Sequence, residues 1–211
     1  KPLFMHSVDK AIKSKLFKLI IIVSNNPIKN IKDKSIKVIK GGRERYQSSQ
    51  KALNFLKNKK FTNVFIHDSA RPNFSIKLLK KLYSNLKKNK AVVPYVTTDN
   101  STKYKIDNKI QNLNRENLLL TQTPQCFNFK TLFNLSKLNN TKITDEATLF
   151  LDNKKKIKFI KGEESNFKIT KKSDLNKINI KNFHGIGFDI HRLVKNKKLY
   201  LGGIKIPFHS G

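Results

Sequence analysis

The chain has 211 residues, which is enough for one sizeable domain with little left over, and 37% of them are hydrophobic. It carries 45 Lys and Arg against 14 Asp and Glu, a formal net charge of +31, but the lysines are spread along every segment, which argues against a specific nucleic-acid interface. The single cysteine excludes an intramolecular disulfide, and no apolar run or leader-like segment indicates a membrane span or a signal peptide, so we expect a cytoplasmic protein.

Short β-branched runs alternate with amphipathic stretches, a pattern typical of βα units on a mainly parallel sheet. The first half of the chain predicts a helix at 8–17, strands at 19–23 and 36–39, a helix at 45–58, a strand at 64–66, a helix at 75–89 and a strand at 91–96. The second half predicts a hairpin-like excursion across 97–112, a strand at 118–121, helices at 129–138 and 145–151, a strand at 157–160 and a last helix that begins near Ser173.

The composition changes near residue 180. Five of the chain's eight glycines come after that position, and the segments HGIGFDIH and LYLGGIKIPF predict new β-structure. We therefore expect a first domain over residues 1–180 and the beginning of a second, incomplete domain over residues 181–211.

The segment GGRERYQSSQ lies between a predicted strand and a predicted helix. In a doubly wound sheet, ligands bind at the carboxyl ends of the strands. Gly41 and Gly42 allow the backbone to approach a ligand closely, and the hydroxyl of Ser48 can bond a base or a phosphate. The alternative is a simple turn that leads into the helix.

The segment VFIHDSARP follows another buried strand. Asp68 can hold a sugar hydroxyl or a metal, and Arg71 can bind a phosphate through two parallel hydrogen bonds. The alternative is an Asp–Arg ion pair that caps the loop. His67, which adjoins an apolar run, is more typical of a structural residue than of a ligand.

Three further segments carry candidate site residues. TQTPQCF places Thr123 before the rigid Pro124 at a strand end. TDEA contains an Asp-Glu pair of the kind that usually complements a helix dipole at its N-terminus. NFKIT contains Lys168, which by itself is one lysine among many.

Taken in order, the segments KPLFMHSVDKA, GGRERYQSS, HDSARP, TQTPQ, ITDEA and NFKITKKSDL resemble the 2-C-methyl-D-erythritol 4-phosphate cytidylyltransferase family across residues 1–180. The resemblance implies a Rossmann-like α/β fold, in which helices flank a mainly parallel sheet and a protruding β-arm forms a homodimer. It also implies transfer of CMP from CTP to 2-C-methyl-D-erythritol 4-phosphate, with release of pyrophosphate and with Mg²⁺ assisting. The alternatives are another nucleotidyltransferase of this fold, acting on a sugar or alditol phosphate, and a basic nucleic-acid-associated protein.

The resemblance also assigns roles to individual residues. Those implied to bind CTP are Gly41, Gly42, Arg43, Ser48 and Asp68. Those implied to bind the acceptor are Arg71, Ser101, Lys103, Arg115, Thr123, Thr144 and Lys168. Asp68, Arg71 and Lys168 are implied to act in catalysis. The family often has an acidic residue where this chain has Arg43, and the register that places Ser101 with Lys103 is preferred over one that uses Asp99.

Two expectations concern the ends of the chain. The family's glycine-rich loop, which holds the triphosphate, precedes the first matching segment, so we expect little or no transferase activity from these residues alone. From residue 183 onward, HGIGFDIHRL and LYLGGIKIPF resemble the start of 2-C-methyl-D-erythritol 2,4-cyclodiphosphate synthase, an α+β domain. This resemblance implies that Asp189 and His191 are two of three ligands to a divalent metal, usually Zn²⁺. From the spacing alone, the alternative is an Asp-x-His pair that faces solvent.

Overall fold

A computed structural model describes residues 2–29, 31–138, 143, 145–177 and 192–210. The chain divides into two compact units, residues 1–178 and 179–211. The helices are α1 (Leu3–Ser14), α2 (Arg45–Leu56), α3 (Ile76–Leu86), α4 (Phe129–Leu138) and α5 (Glu146–Asp152). The strands of the first unit are β1 (Ile20–Val23), β2 (Ile36–Ile39), β3 (Asn63–Ile66), β4 (Ala91–Val96), β5 (Thr102–Ile106), β6 (Lys109–Leu113), β7 (Leu120–Thr121), β8 (Gln125–Asn128) and β9 (Lys158–Lys161).

Two helix boundaries follow from local chemistry. The hydroxyl of Ser75 accepts the backbone N–H of Leu78 at 3.0 Å and so caps α3. Helix α1 begins five residues earlier than the sequence pattern predicts, directly after Pro2. A proline is tolerated there because the first N–H groups of a helix have no partner within the helix.

The sheet places helices on both of its faces. Val92 and Val93 are fully buried neighbours on β4 whose side chains point to opposite faces. Val92 packs with Leu78 and Leu82 of α3, and Val93 packs in a second cluster with Leu132 of α4. This layering confirms the predicted α/β class.

The sheet contains more antiparallel strand pairs than the predicted, mainly parallel sheet would. Strand β4 pairs in parallel with β9, and β1 pairs in parallel with β2. Strand β8 runs antiparallel to both β3 and β4 and therefore makes those two strands parallel to each other, and β7 is also antiparallel to β4. The predicted strand at 118–121 is present as the shorter β7, whereas β8 was not predicted, because it follows β7 without an intervening helix.

An antiparallel hairpin of β5 and β6, defined here as the arm, occupies part of the predicted excursion. Its five residue pairs run from Thr102–Leu113 to Ile106–Lys109. Tyr104, Ile106 and Ile110 are all exposed although they are large and apolar.

The predicted helix near Ser173 is instead a 3-10 helix over Lys172–Lys177. The carboxylate of Asp174 accepts the backbone N–H groups of Thr170 and Lys171, both at 3.0 Å, and these bonds close a tight turn in place of a longer helix. They also lower the pKa of Asp174 to about 2.

The described part of the second unit contains the antiparallel strands β10 (Leu199–Leu201) and β11 (Ile204–Ile206). Among the described residues, no helix has the length and apolarity to span a membrane.

Candidate active site

Asp68 lies just beyond the carboxyl end of β3 and is the centre of a charged cluster. Its Oδ1 is 3.1 Å from Nε of Arg45, and its Oδ2 is 3.1 Å from Nζ of Lys168. Partial burial by itself would raise the pKa of Asp68, but the two cations outweigh it and hold the pKa below its usual value. The carboxylate is therefore ionised at neutral pH and shared between two basic side chains.

Arg45 also joins α2 to α5. Its Nη1 and Nη2 donate to the two carboxylate oxygens of Glu146 at 3.1 and 2.9 Å, a bidentate pair. Burial opposes the charge of Arg45, yet Glu146 and Asp68 raise its pKa above the ordinary value. Because the carboxylate of Glu146 is almost fully buried, the pair fixes the start of α2 against the start of α5.

Arg71 bonds the segment that carries Lys168. Its Nη1 donates to the carbonyl oxygen of Asn166 at 2.8 Å, and Asn166 in turn donates through Nδ2 to the carbonyl oxygen of Thr123 at 2.8 Å. Burial lowers the pKa of Arg71. Nε of Arg71 and Oδ1 of Asn166 are buried without a hydrogen-bond partner. The loop after β3 and the Lys168 segment are thus tied together, with polar atoms still unsatisfied.

The loop with Gly41 and Gly42 is held by side chains of α2. The N–H of Gly42 donates to Oγ of Ser48 at 3.1 Å, and the N–H of Arg43 donates to Oε1 of Gln47 at 2.8 Å. A Cβ at Gly42 would lie 2.3 Å from Cβ of Gln47, so this close approach requires glycine. A shallow depression of about 690 Å³ borders the loop.

A second, largely apolar cavity of about 450 Å³ lies between β1 and β3. Ser48, Arg45 and Asp68 are among the polar residues that line it. Ser48, which accepts the N–H of Gly42, therefore borders the same cavity as Arg45 and Asp68.

Residues 1–180 match the profile of the 2-C-methyl-D-erythritol 4-phosphate cytidylyltransferase family. The chain is 51% identical over 215 aligned residues to a bifunctional enzyme IspD/IspF of Pelagibacter ubique, an alignment that covers 100% of this chain and 58% of that protein. The chain belongs to the 2-C-methyl-D-erythritol 4-phosphate cytidylyltransferase family.

Solved structures agree with this assignment. The Francisella tularensis 2-C-methyl-D-erythritol 4-phosphate cytidylyltransferase matches with a TM-score of 0.75 at 30% identity, over 84% of this chain and 86% of that one. The bifunctional IspDF of Campylobacter jejuni matches with a TM-score of 0.73 at 31% identity, over 100% of this chain and 57% of that one. The chain spans about half the length of the curated relatives that it matches.

The residues that the family resemblance assigns fall into three groups. Asp68, Arg71, Thr123 and Lys168 are linked by the contacts around the end of β3, and Gly41, Gly42, Arg43 and Ser48 form the neighbouring loop. Ser101, Lys103 and Arg115 lie on or beside the arm, where Lys103 bonds Ser101 and Asn112 and Arg115 bonds the carbonyl of Asp99. Thr144, Asp189 and His191 lie outside the described residues.

Two interpretations from sequence change with the structure. Asp68 pairs with Arg45 and Lys168 instead of forming a loop-capping pair with Arg71. Asp145 does cap α5, accepting the N–H of Thr148 at 3.1 Å, but Glu146 beside it is a buried partner of Arg45. The Arg45–Glu146 pair joins positions 101 apart in the sequence, so spacing could not reveal it. The one available signal was an arginine in the first turn after a Gly-Gly loop.

His67 predicts a specific pH dependence of stability. Burial lowers its pKa from 6.5 to about 4, and the hydrogen bond to the carbonyl of Arg71 opposes this only in part. Between these two values the unfolded chain binds a proton that the folded chain does not, so the free energy of unfolding falls as the pH drops from 6.5 towards 4. We expect this loss to be roughly 3 kcal/mol at most.

Urea denaturation at a series of pH values measures this effect. His67→Phe removes the titrating group and is expected to flatten the pH profile across the same window. A His67→Phe variant whose stability falls as steeply as that of the wild type would contradict the assignment to His67.

Proposed function

We propose that this chain provides the site that transfers CMP from CTP to 2-C-methyl-D-erythritol 4-phosphate, which yields 4-diphosphocytidyl-2-C-methyl-D-erythritol and pyrophosphate in isoprenoid precursor synthesis. The observation that carries the proposal is the cluster in which Lys168 and Arg45 share the carboxylate of Asp68 beside the Gly42–Ser48 loop. Family membership supports the choice of nucleotide and acceptor.

The reaction joins two highly charged molecules, so positioning and charge neutralisation are the main tasks of the protein. A phosphate oxygen of the acceptor attacks the α-phosphorus of CTP in line. The new P–O bond forms as the bond to the oxygen that bridges to the β-phosphate breaks, and pyrophosphate leaves with that electron pair. No covalent enzyme intermediate is needed.

Each side chain of the cluster has a distinct task in this proposal. Lys168 has an exposed ammonium 3.1 Å from Asp68 and can turn to a phosphate of either substrate. Arg71 has a buried Nε without a partner, and a bound phosphate oxygen satisfies such a donor. Asp68 accepts hydrogen bonds from the sugar hydroxyls of CTP, and the backbone around Gly42 and Ser48 contacts the cytosine.

We propose that Mg²⁺ binds together with the nucleotide. Among the described residues, no three His, Cys, Asp or Glu side chains converge as a metal site. Mg²⁺ is commonly held by one or two carboxylates together with substrate phosphates, and Asp68 offers one such carboxylate. When bound, the ion supplies neutralisation of phosphate charge.

We further propose that the arm mediates a homodimer. Tyr104, Ile106, Ile110 and Leu113 all expose large apolar side chains on it, an arrangement that is costly in water and is relieved in a subunit interface. Arg115, next to the arm, then reaches the site of the partner subunit.

The metal site of Asp189 and His191, with Zn²⁺ as its ion, stays a prediction. Cyclodiphosphate synthase activity of the second domain and the cytoplasmic location also stay predictions.

Pyrophosphate release in a mixture of CTP and 2-C-methyl-D-erythritol 4-phosphate tests the proposed function. We expect turnover from a protein in which the family's glycine-rich segment precedes Lys1. CTP should be preferred over UTP and ATP. Preference for a different nucleotide and another sugar or alditol phosphate would instead support a related nucleotidyltransferase.

A further inference from the structure

His67 is hydrogen-bonded to two of the candidate site residues, Thr123 and Arg71, and through Thr123 it is linked to the backbone of Asp68. Its Nδ1 is 3.0 Å from Oγ1 of Thr123, and its Nε2 is 3.0 Å from the carbonyl oxygen of Arg71. Oγ1 of Thr123 also accepts the backbone N–H of Asp68 at 3.0 Å. A single imidazole thus connects the backbone of Asp68, the backbone of Arg71 and the side chain of Thr123.

The donors and acceptors in this network determine the tautomer of His67. The carbonyl oxygen of Arg71 is only an acceptor, so we assign the proton to Nε2, which donates to it, with Oγ of Ser7 also 3.2 Å from Nε2. Nδ1 is then unprotonated and accepts the hydroxyl proton of Thr123, whose oxygen remains free to accept from Asp68. With this assignment the ring nitrogens of His67, the hydroxyl of Thr123 and the N–H of Asp68 all have partners, which is typical of a network that holds its members in place.

Thr123 is committed to this network. Thr123 is 4% exposed, and its hydroxyl both donates to Nδ1 of His67 and accepts the backbone N–H of Asp68. The hydroxyl is therefore better suited to orienting Asp68 than to binding a ligand directly. The ring of His67 is also held edge-on against Phe74, with the centroids 4.6 Å apart, which leaves it little freedom to reorient.

We propose that His67 is a positioning residue for the transferase site. Through its two ring nitrogens it fixes the position of Asp68 relative to Arg71, and hence the position of the nucleotide relative to the acceptor. This proposal rests on the proposed function, which identifies the site as one that binds a nucleotide and an acceptor. The hydrogen-bond network itself does not depend on that function.

Three replacements of His67 test the hydrogen bonds of its two ring nitrogens separately. His67→Phe keeps an aromatic ring against Phe74 and removes both hydrogen bonds. His67→Asn places an amide oxygen where Nδ1 accepts from Thr123, and His67→Gln places an amide N–H where Nε2 donates to Arg71. Phe74→Leu is the matched control, because it disturbs the packing of the ring and leaves both hydrogen bonds possible.

The first measurement uses the ligand-free 211-residue chain. Long-range ¹H–¹⁵N NMR is expected to show the Nε2–H tautomer of His67, and the backbone amide resonance of Asp68 is expected to move in His67→Phe and His67→Gln but much less in His67→Asn. A Nδ1–H tautomer, or an Asp68 amide that does not respond to His67→Phe, would overturn the proposal.

The second measurement is calorimetric titration of the same variants with 2-C-methyl-D-erythritol 4-phosphate. We expect His67→Phe to weaken binding about tenfold, as the loss of two oriented hydrogen bonds implies. His67→Asn and His67→Gln should each restore part of the affinity, and Phe74→Leu should change stability with little change in affinity. Equal binding by His67→Phe and the wild type would count against the proposal. If the wild type does not bind the acceptor, the proposed function has failed, and the NMR result still decides the role of His67.

Discussion

Replacing Glu146 with alanine is expected to lower the free energy of unfolding by about 3 kcal/mol, a typical cost of removing one partner from a buried ion pair. The carboxylate of Glu146 is almost fully buried and accepts both terminal nitrogens of Arg45. Its removal leaves the guanidinium with Asp68 as its remaining carboxylate partner. Because about a third of the Arg45 side chain stays exposed, the loss should be at the low end of the range for such pairs.

Urea denaturation at neutral pH measures this loss, and Glu164→Ala is the matched control. Glu164 is exposed, so its replacement removes the same charge and should change stability by no more than about 0.5 kcal/mol. Glu146→Gln keeps one acceptor oxygen and should be intermediate. Equal losses for the two alanine variants would mean that the Arg45–Glu146 pair adds nothing beyond general charge effects.

Replacing Lys168 with alanine is expected to weaken the binding of 2-C-methyl-D-erythritol 4-phosphate between about 10-fold and about 100-fold, as one charged hydrogen bond implies. Lys168 is held beside Asp68 with 44% of its side chain exposed, so its ammonium is already directed at the site. Its loss also leaves Asp68 with only Arg45 to balance its charge, which places a less compensated negative group near the phosphate.

The chain's net charge of +31 makes a control for nonspecific attraction necessary. Lys171→Ala removes the same charge from an exposed lysine three residues away. Calorimetric titration of both variants should show a large loss for Lys168→Ala and a small loss for Lys171→Ala that disappears at higher salt. Equal weakening of both would show that the basic surface attracts the phosphate without a specific role for Lys168.

The sequence predicted the helix–strand alternation well because that signal is local. The run from Leu19 to Val23 and the amphipathic pattern of α3 depend only on neighbouring residues, and both elements are present where the pattern placed them, to within a few residues. The start of α1 and the 3-10 helix at Lys172–Lys177 were missed because a proline in one case and the carboxylate of Asp174 in the other set the backbone.

The candidate site was predictable only in part. Motif order was sufficient to select Asp68, Arg71 and Lys168, since these residues lie in segments that resemble one family. Which of them touch each other was not predictable, and the loop-capping pair of Asp68 with Arg71 was a reasonable but incorrect alternative. The roles of Arg45 and Glu146 depend on contacts between residues 23 and 101 positions apart in the sequence. The role of His67 depends on a ring that bonds a backbone carbonyl and a side chain at the same time.

The amino-acid sequence by itself determined the α/β class, the family and the segments that bear chemistry, because hydrophobic periodicity and ordered motifs are properties of the linear chain. The tertiary structure alone decided that the carboxylate of Asp68 is shared by two cations, that Glu146 is a buried partner of Arg45, and that Thr123 bonds both His67 and the backbone of Asp68. The physical reason is that the strength of a charge or a hydrogen bond depends on distance, burial and competing partners, which are set only when strands and helices pack together.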